Sequence, residues 1–165
     1  MDAYAAIVAK RDTRSYTPDP IDEDDLRRIL QAGRMAGSAK NGQLTRMVLA
    51  TDPEVRDALA TCGNSTAWIN TAPAVIVFVV PVDGGRLFDV GRMAQNVMVA
   101  ARSFGLASCP VTFQEKDRLR TTLGLPDTHE GPHGVTLGHP TAEQPPNPLQ
   151  SPRIPLDELV HCNRW

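Results

Sequence analysis

Ala74-Val75-Ile76-Val77-Phe78-Val79-Val80 is the stretch on which the fold turns. It is rich in β-branched residues and apolar on both faces of an extended chain, so it reads as a strand in the middle of a sheet that is covered on both sides. Upstream, Asp52-Pro53-Glu54 combines an N-cap, a proline at the first helical position and an acid. They start a helix that runs through Leu59 and stops at Gly63. Met47 to Ala50 is a short strand before it. Downstream, Asp83-Gly84-Gly85 is a turn. Val90, Met93, Val97, Ala100, Ala101 and Phe104 then recur at helical spacing across Leu87 to Phe104, with Gly105 closing the helix. Two alanines and a glycine on this helix admit another helix at close range, in the core or across a subunit interface. Ala107 to Thr112 and Gly134 to Leu137 read as further strands, with a helix over Lys116 to Leu123 between them.

Toward the N-terminus, a helix over Asp2 to Ala9 leads into Lys10-Arg11-Asp12-Thr13-Arg14-Ser15-Tyr16, and Asp22 or a neighbour caps a second helix. Leu26, Ile29 and Leu30 fall on one face of that helix, and Gly33 lies near its end. Residues 139 to 155 hold six of the fourteen prolines and no periodicity, which predicts an extended arm ending in a short amphipathic piece, Leu156 to Val160. With 165 residues and no change of composition, residues 1–165 form one domain by this reading, long enough to bury about 70% of the unfolded chain's surface.

Several function classes drop out. Charged residues make up 22% of the chain, with both signs intermixed and a net charge of -2, so there is no nucleic-acid footprint. The longest apolar run, Ala72 to Val82, is about half of a bilayer span. No apolar leader follows Met1, so residence in the cytoplasm is expected. Cys62, Cys109 and Cys162 lie far apart without metal-ligand spacing and read as reduced core thiols. No cation or histidine flanks Cys109 in sequence to activate it. His129-Glu130-Gly131-Pro132-His133 matches the H-E-x-x-H zinc pattern, which needs both histidines on one continuous helix. Pro132 and Gly131 forbid that helix, so the segment reads as a loop feeding the strand at Gly134, and no metal site is expected.

Two polar constellations remain. Three cations in five residues, Lys10, Arg11 and Arg14, stand where a helix ends; basic residues there stabilise any helix through its macrodipole, but they also make a compact site for a dianion. A second loop, Ser38-Ala39-Lys40-Asn41-Gly42-Gln43, concentrates hydrogen-bonding groups behind Gly33 and Gly37. Lys10-Arg11-Asp12-Thr13-Arg14 resembles the R-R-[S/D]-x-R motif of the FMN-dependent nitroreductase family, and Ser38 to Gln43 resembles that family's S-x-x-N-x-Q loop. Ala72-Pro73, Asp89-Val90-Gly91 with Gln95-Asn96, Gly105-Leu106, Leu123-Gly124-Leu125-Pro126 and Leu137-Gly138-His139-Pro140 are similar to further family landmarks, in the same order.

The resemblance implies an α+β fold with a mixed, mainly antiparallel sheet flanked by helices and an extended C-terminal arm, assembled as a homodimer with FMN at the interface. It implies a ping-pong reaction in which NADPH or NADH donates hydride through FMN to a small oxidant such as a nitroaromatic, quinone or enone. Lys10, Arg11 and Arg153 would hold the phosphate, beside Asp12, and Arg14 the N1/C2 edge. Ser38, Ala39, Lys40, Asn41 and Gln43 would meet the pyrimidine edge and ribityl chain, from the other subunit. The main chain near Pro110-Val111 or Leu137-Gly138 would meet N5. Alternatives within the same resemblance are a flavin-binding protein with little turnover (a carrier, sensor or flavin-modifying relative) and a deazaflavin-dependent reductase. The chain departs from the family at Leu44-Thr45-Arg46-Met47, where Pro-Trp-x-Phe is usual. It also lacks an insertion between Val80 and Asp89, or between Leu123 and Gly134, of the size that builds a substrate lid.

Overall fold

The computed structural model describes residues 2–143 and 153–165; residues 144–152 of the expected arm lie outside the described residues. Its elements are α1 (Ala3–Ala9), α2 (Glu23–Arg34), β1 (Arg46–Ala50), α3 (Pro53–Leu59), β2 (Ala74–Pro81), α4 (Leu87–Ser103), β3 (Ala107–Thr112), α5 (Lys116–Leu123), β4 (His129–Gly138) and α6 (Leu156–Leu159), with short 3-10 turns at Ala39–Asn41 and Ala67–Thr71. The strands form one sheet in the order β1-β2-β4-β3, and every pair is antiparallel. The parallel component is a single bridge from Asp12 to Ser108.

β2 lies inside the sheet and is buried on both faces, for the reason its sequence announces. Ala74, Ile76, Phe78 and Val80 meet Ile29, Val90, Val97 and Ala101 from α2 and α4, while Val75, Val77 and Val79 meet Leu59, Ile69, Phe113 and Leu119 on the other face. Asp22 caps α2 through Asp24 and Asp25 N–H, and Asp52 caps α3 through Glu54 and Val55 N–H. The close approach of α2 to α4 is made by Gly33, where a Cβ would stand 2.8 Å from Val97 Cγ2. Gly91 of α4, by contrast, faces open space, so it makes no close approach within the core of this chain.

The segment read as a loop at 129–133 is instead the first half of β4. Phe78 pairs with His133 and Val80 with Glu130, so Gly131 and Pro132 together oppose Val79 alone. That is a β-bulge, and it accommodates a proline within a central strand because the bulged residue needs no ladder N–H. Pro132 still contributes its carbonyl, which accepts from Phe113 N–H at 3.0 Å. Among the described residues no group of three or more His, Cys, Asp or Glu side chains converges as a metal site would, and no helix is long and apolar enough to cross a membrane. Cys62 and Cys109 are buried, but Cys162 is exposed rather than in the core.

Candidate active site

The first polar cluster begins where α1 stops, at Lys10, whose backbone turns extended. The chain from 12 to 17 then runs beside β3 and the end of β4. Thr13 N–H donates to Ser108 O at 3.1 Å and Thr17 N–H to His139 O at 2.9 Å, with Tyr16 bridged to Pro140. Lys10 forms an ion pair with Asp12. Arg11 uses one nitrogen, Nη1, to cap α1, donating to Val8 O and Lys10 O at 2.7 Å each. Its Nε and Nη2 stay available for another acceptor. Arg14 forms no ion pair among the described residues. Its guanidinium lies 5.6 Å from the centroid of the Trp68 ring.

Behind Arg14 is a buried hydrogen-bonded frame. Tyr16 is 6% exposed. Its hydroxyl pairs with Thr13 O and, at 2.7 Å, with the Thr136 hydroxyl, which also reaches Cys109 O at 3.2 Å. Burial pushes the Tyr16 phenol well above its usual value, and it pushes the Cys109 thiol up against the opposing influence of the Arg14 cation. Both groups are therefore neutral at physiological pH: they orient the Arg14 segment and do not act as a base or a thiolate there.

The second cluster follows α2. Lys40, Asn41 and Gln43 have φ of 53°, 52° and 47°, a left-handed conformation that costs non-glycine residues energy and survives only where neighbours over-determine it. Here Gln43 N–H donates to Ser38 Oγ at 3.0 Å, Gln43 Nε2 to Asn41 Oδ1 at 3.1 Å, and Ala39 N–H to Asp89 Oδ2 on α4 at 3.1 Å. The Arg46 guanidinium closes on Gln43 O, and that of Arg92 covers Gly37. A cavity of about 220 Å³ opens against this loop, lined by Arg34, Ser38, Gln43, Arg46, Asp89 and Met93 among others.

Within one chain the two clusters lie at diagonally opposite corners of the sheet. Asp12 pairs through Ser108 and Leu137 to Ala74 at the start of β2, whereas Arg46 pairs with Val79 near its end. Five residues along the strands and four strand spacings across separate them, on the order of 25 Å. The remaining sequence candidates are spread as follows. Pro110 is exposed on β3 but, as proline, offers only a carbonyl; Val111 points into the core. Leu137 is fully buried in β4 between two partner strands, and Gly138 packs under Pro73 and Tyr16, where a Cβ would meet both. Arg153 is exposed and forms no hydrogen bond or ion pair among the described residues. Trp68 and Asp89 were not singled out as site residues in the sequence. Asp89 stands 50 positions from the N–H it accepts and Trp68 54 from the cation it covers; Asp89 falls in the landmark Asp89-Val90-Gly91, which does not tell its partner, and no local pattern marks Trp68.

Known proteins match this chain over most of its length. A profile of the nitroreductase family matches residues 7–84 and 63–139 in two overlapping stretches. The chain is 32% identical to an NADPH-flavin oxidoreductase of Vibrio harveyi over 96% of its own length and 72% of that protein. It is 29% identical to an NADH dehydrogenase of Thermus thermophilus, covering 97% and 95% of the two chains. The solved NADPH:FMN oxidoreductase of Vibrio harveyi complexed with NAD+ superposes with a TM-score of 0.85 at 29% identity, over 99% of this chain and 77% of that one. Sequence pattern, sheet order and superposition converge, and the chain belongs to the nitroreductase family.

Proposed function

We propose that the chain is an NAD(P)H-dependent FMN oxidoreductase, taking hydride from NADPH or NADH and passing it to a small oxidant, such as a nitroaromatic, quinone or enone, in two successive half-reactions. The observation that carries this reading is Arg14, a cation that forms no ion pair among the described residues, at the end of a cationic segment and over the face of Trp68. Such a donor set fits a ligand with a phosphate and an edge that becomes anionic on reduction. Bound FMN supplies the hydride chemistry itself. Arg11 and Lys10, with Arg153, bind its phosphate, and Asp12 holds Lys10 in place. Arg14 faces the N1/C2 edge. Ser38, Ala39, Lys40, Asn41 and Gln43 offer donors and acceptors to the pyrimidine edge and ribityl chain. Val111 and Gly138 are the main-chain candidates for the N5 edge, beside Pro110 and Leu137.

The diagonal separation of the two clusters supports a homodimer. One flavin cannot touch both corners of one sheet, but a two-fold pair brings one corner of each copy together twice. Apolar surface for such a pair is present on α1 and at the start of α4, where Tyr4 is 77% and Phe88 79% exposed. The C-terminal arm reaching over the partner, a single domain over 1–165 and a cytoplasmic location, where NAD(P)H is regenerated, belong to the same proposal. The test is spectroscopic: protein purified with FMN shows the yellow flavin band, which bleaches on anaerobic addition of NADPH or NADH and returns with a quinone. A band that neither nicotinamide bleaches defeats the proposal in favour of a flavin carrier.

A further inference from the structure

We infer that Trp68 is a positioning residue for Arg14: its indole face fixes where the guanidinium charge sits, and so sets the reduction potential of a flavin bound at the site. The inference rests on the proposed role of Arg14 and extends it to a residue on a different element. Arg14 is exposed, on a long flexible stem, and the carboxylate nearest in sequence, Asp12, is already paired with Lys10. Among the described residues the contact that restrains its head group is the one with Trp68. Trp68 is itself fixed. Its Nε1 donates to Ser65 O at 2.8 Å, its ring packs against the core cluster under α3 and α5, and the next residue, Ile69, is fully buried. A carboxylate in this place would also hold the guanidinium but would cancel most of its field. An aromatic face holds it through the ring quadrupole and leaves the net charge intact for a ligand.

The test compares FMN-loaded Trp68→Leu, Trp68→Met, Trp68→Phe, Arg14→Gln and the double variant Trp68→Leu/Arg14→Gln by potentiometric titration. Leu and Met fill volume without a π face, and either one suffices if the other fails to fold. Both should move the midpoint negative, in the direction of Arg14→Gln and by at least roughly a third of its shift, whereas Trp68→Phe should recover most of the wild-type midpoint. In the double variant the midpoint should equal that of Arg14→Gln alone, because Trp68 then has no charge to place. A second readout needs no flavin. The chain has two tryptophans, the other being the fully exposed Trp165, so in a Trp165→Phe background acrylamide quenching reports on Trp68 alone and should rise on Arg14→Gln. An unshifted midpoint in Trp68→Leu and Trp68→Met beside a shifted one in Arg14→Gln overturns the inference and leaves the role of Arg14 standing. A Trp68 effect that persists in the double variant overturns it too. An unshifted midpoint in Arg14→Gln removes Arg14 from the flavin edge, and the inference goes with it.

Discussion

Arg11 and Arg14 stand three residues apart and are committed differently, which separates their expected effects. Arg11 caps α1 with one nitrogen, and its other two form no hydrogen bond among the described residues, which leaves them for the proposed phosphate. Losing a charge-assisted hydrogen bond costs about 1.5 to 3 kcal/mol, so Arg11→Ala should weaken FMN binding on the order of ten- to a hundredfold; unchanged flavin content after gel filtration would contradict this. At the proposed flavin edge Arg14 would interact chiefly with the charge gained on reduction, so Arg14→Gln should lower the two-electron midpoint by tens of millivolts, at about 30 mV per 1.4 kcal/mol, while binding of oxidised FMN suffers less. At this scale the sequence was partly legible. Both cations, and the Ser38 to Gln43 loop, stand in contiguous motifs that a single reading can find. Trp68 and Asp89 support them from elsewhere in the chain, as does Thr136, which Tyr16 contacts across 120 positions. At His129 to His133, Gly131 and Pro132 rule out the helix of a metal motif but also suggest a loop, and only the backbone reveals a strand.

Elements were read best where a physical signal was periodic or capped: β2, α2, α3 and α4 stand where their residues demand. The extra length of β4 was hidden because a bulge breaks the pairing that alternation would report, and because Gly131 and Pro132 are punctuation in any local reading. The packing of α2 on α4 was equally hidden, since a glycine late in a helix reads as a stop signal. Gly33 instead lets Val97 and Met47 come within 2.8 and 3.2 Å of where a Cβ would stand. Gly33→Ala should therefore overpack this junction and destabilise the fold by about 1 to 3 kcal/mol, despite the better helix propensity of alanine. Urea denaturation of the two proteins measures it, and a variant more stable than the parent would show that α2 can retreat freely.

For the molecule as a whole, buried acidic protons predict how stability varies with pH. The Cys62 and Cys109 thiols and the Tyr16 phenol are all pushed up by burial. The native state therefore keeps protons that the unfolded chain releases. Their contribution is complete below the ordinary thiol value of 9.0 and falls as pH rises beyond it. Denaturation midpoints should thus decline between about pH 8.5 and 10.5, less steeply in Tyr16→Phe; a flat profile would mean these groups ionise in place. Light scattering should give a particle of about twice 17.9 kDa, and a flavin-loaded monomer would refute the shared site. The corner-to-corner placement of the two clusters also bears on inheritance. If each site draws Arg11 from one copy and Asn41 from the other, two inactive forms of the gene product can repair each other. Mixing Arg11→Ala chains with Asn41→Ala chains, unfolding and refolding them together, should return about a quarter of the sites to working order, because half of the random pairs join unlike chains and each such pair has one intact site. A cell carrying both damaged versions would then keep an activity that neither version has alone.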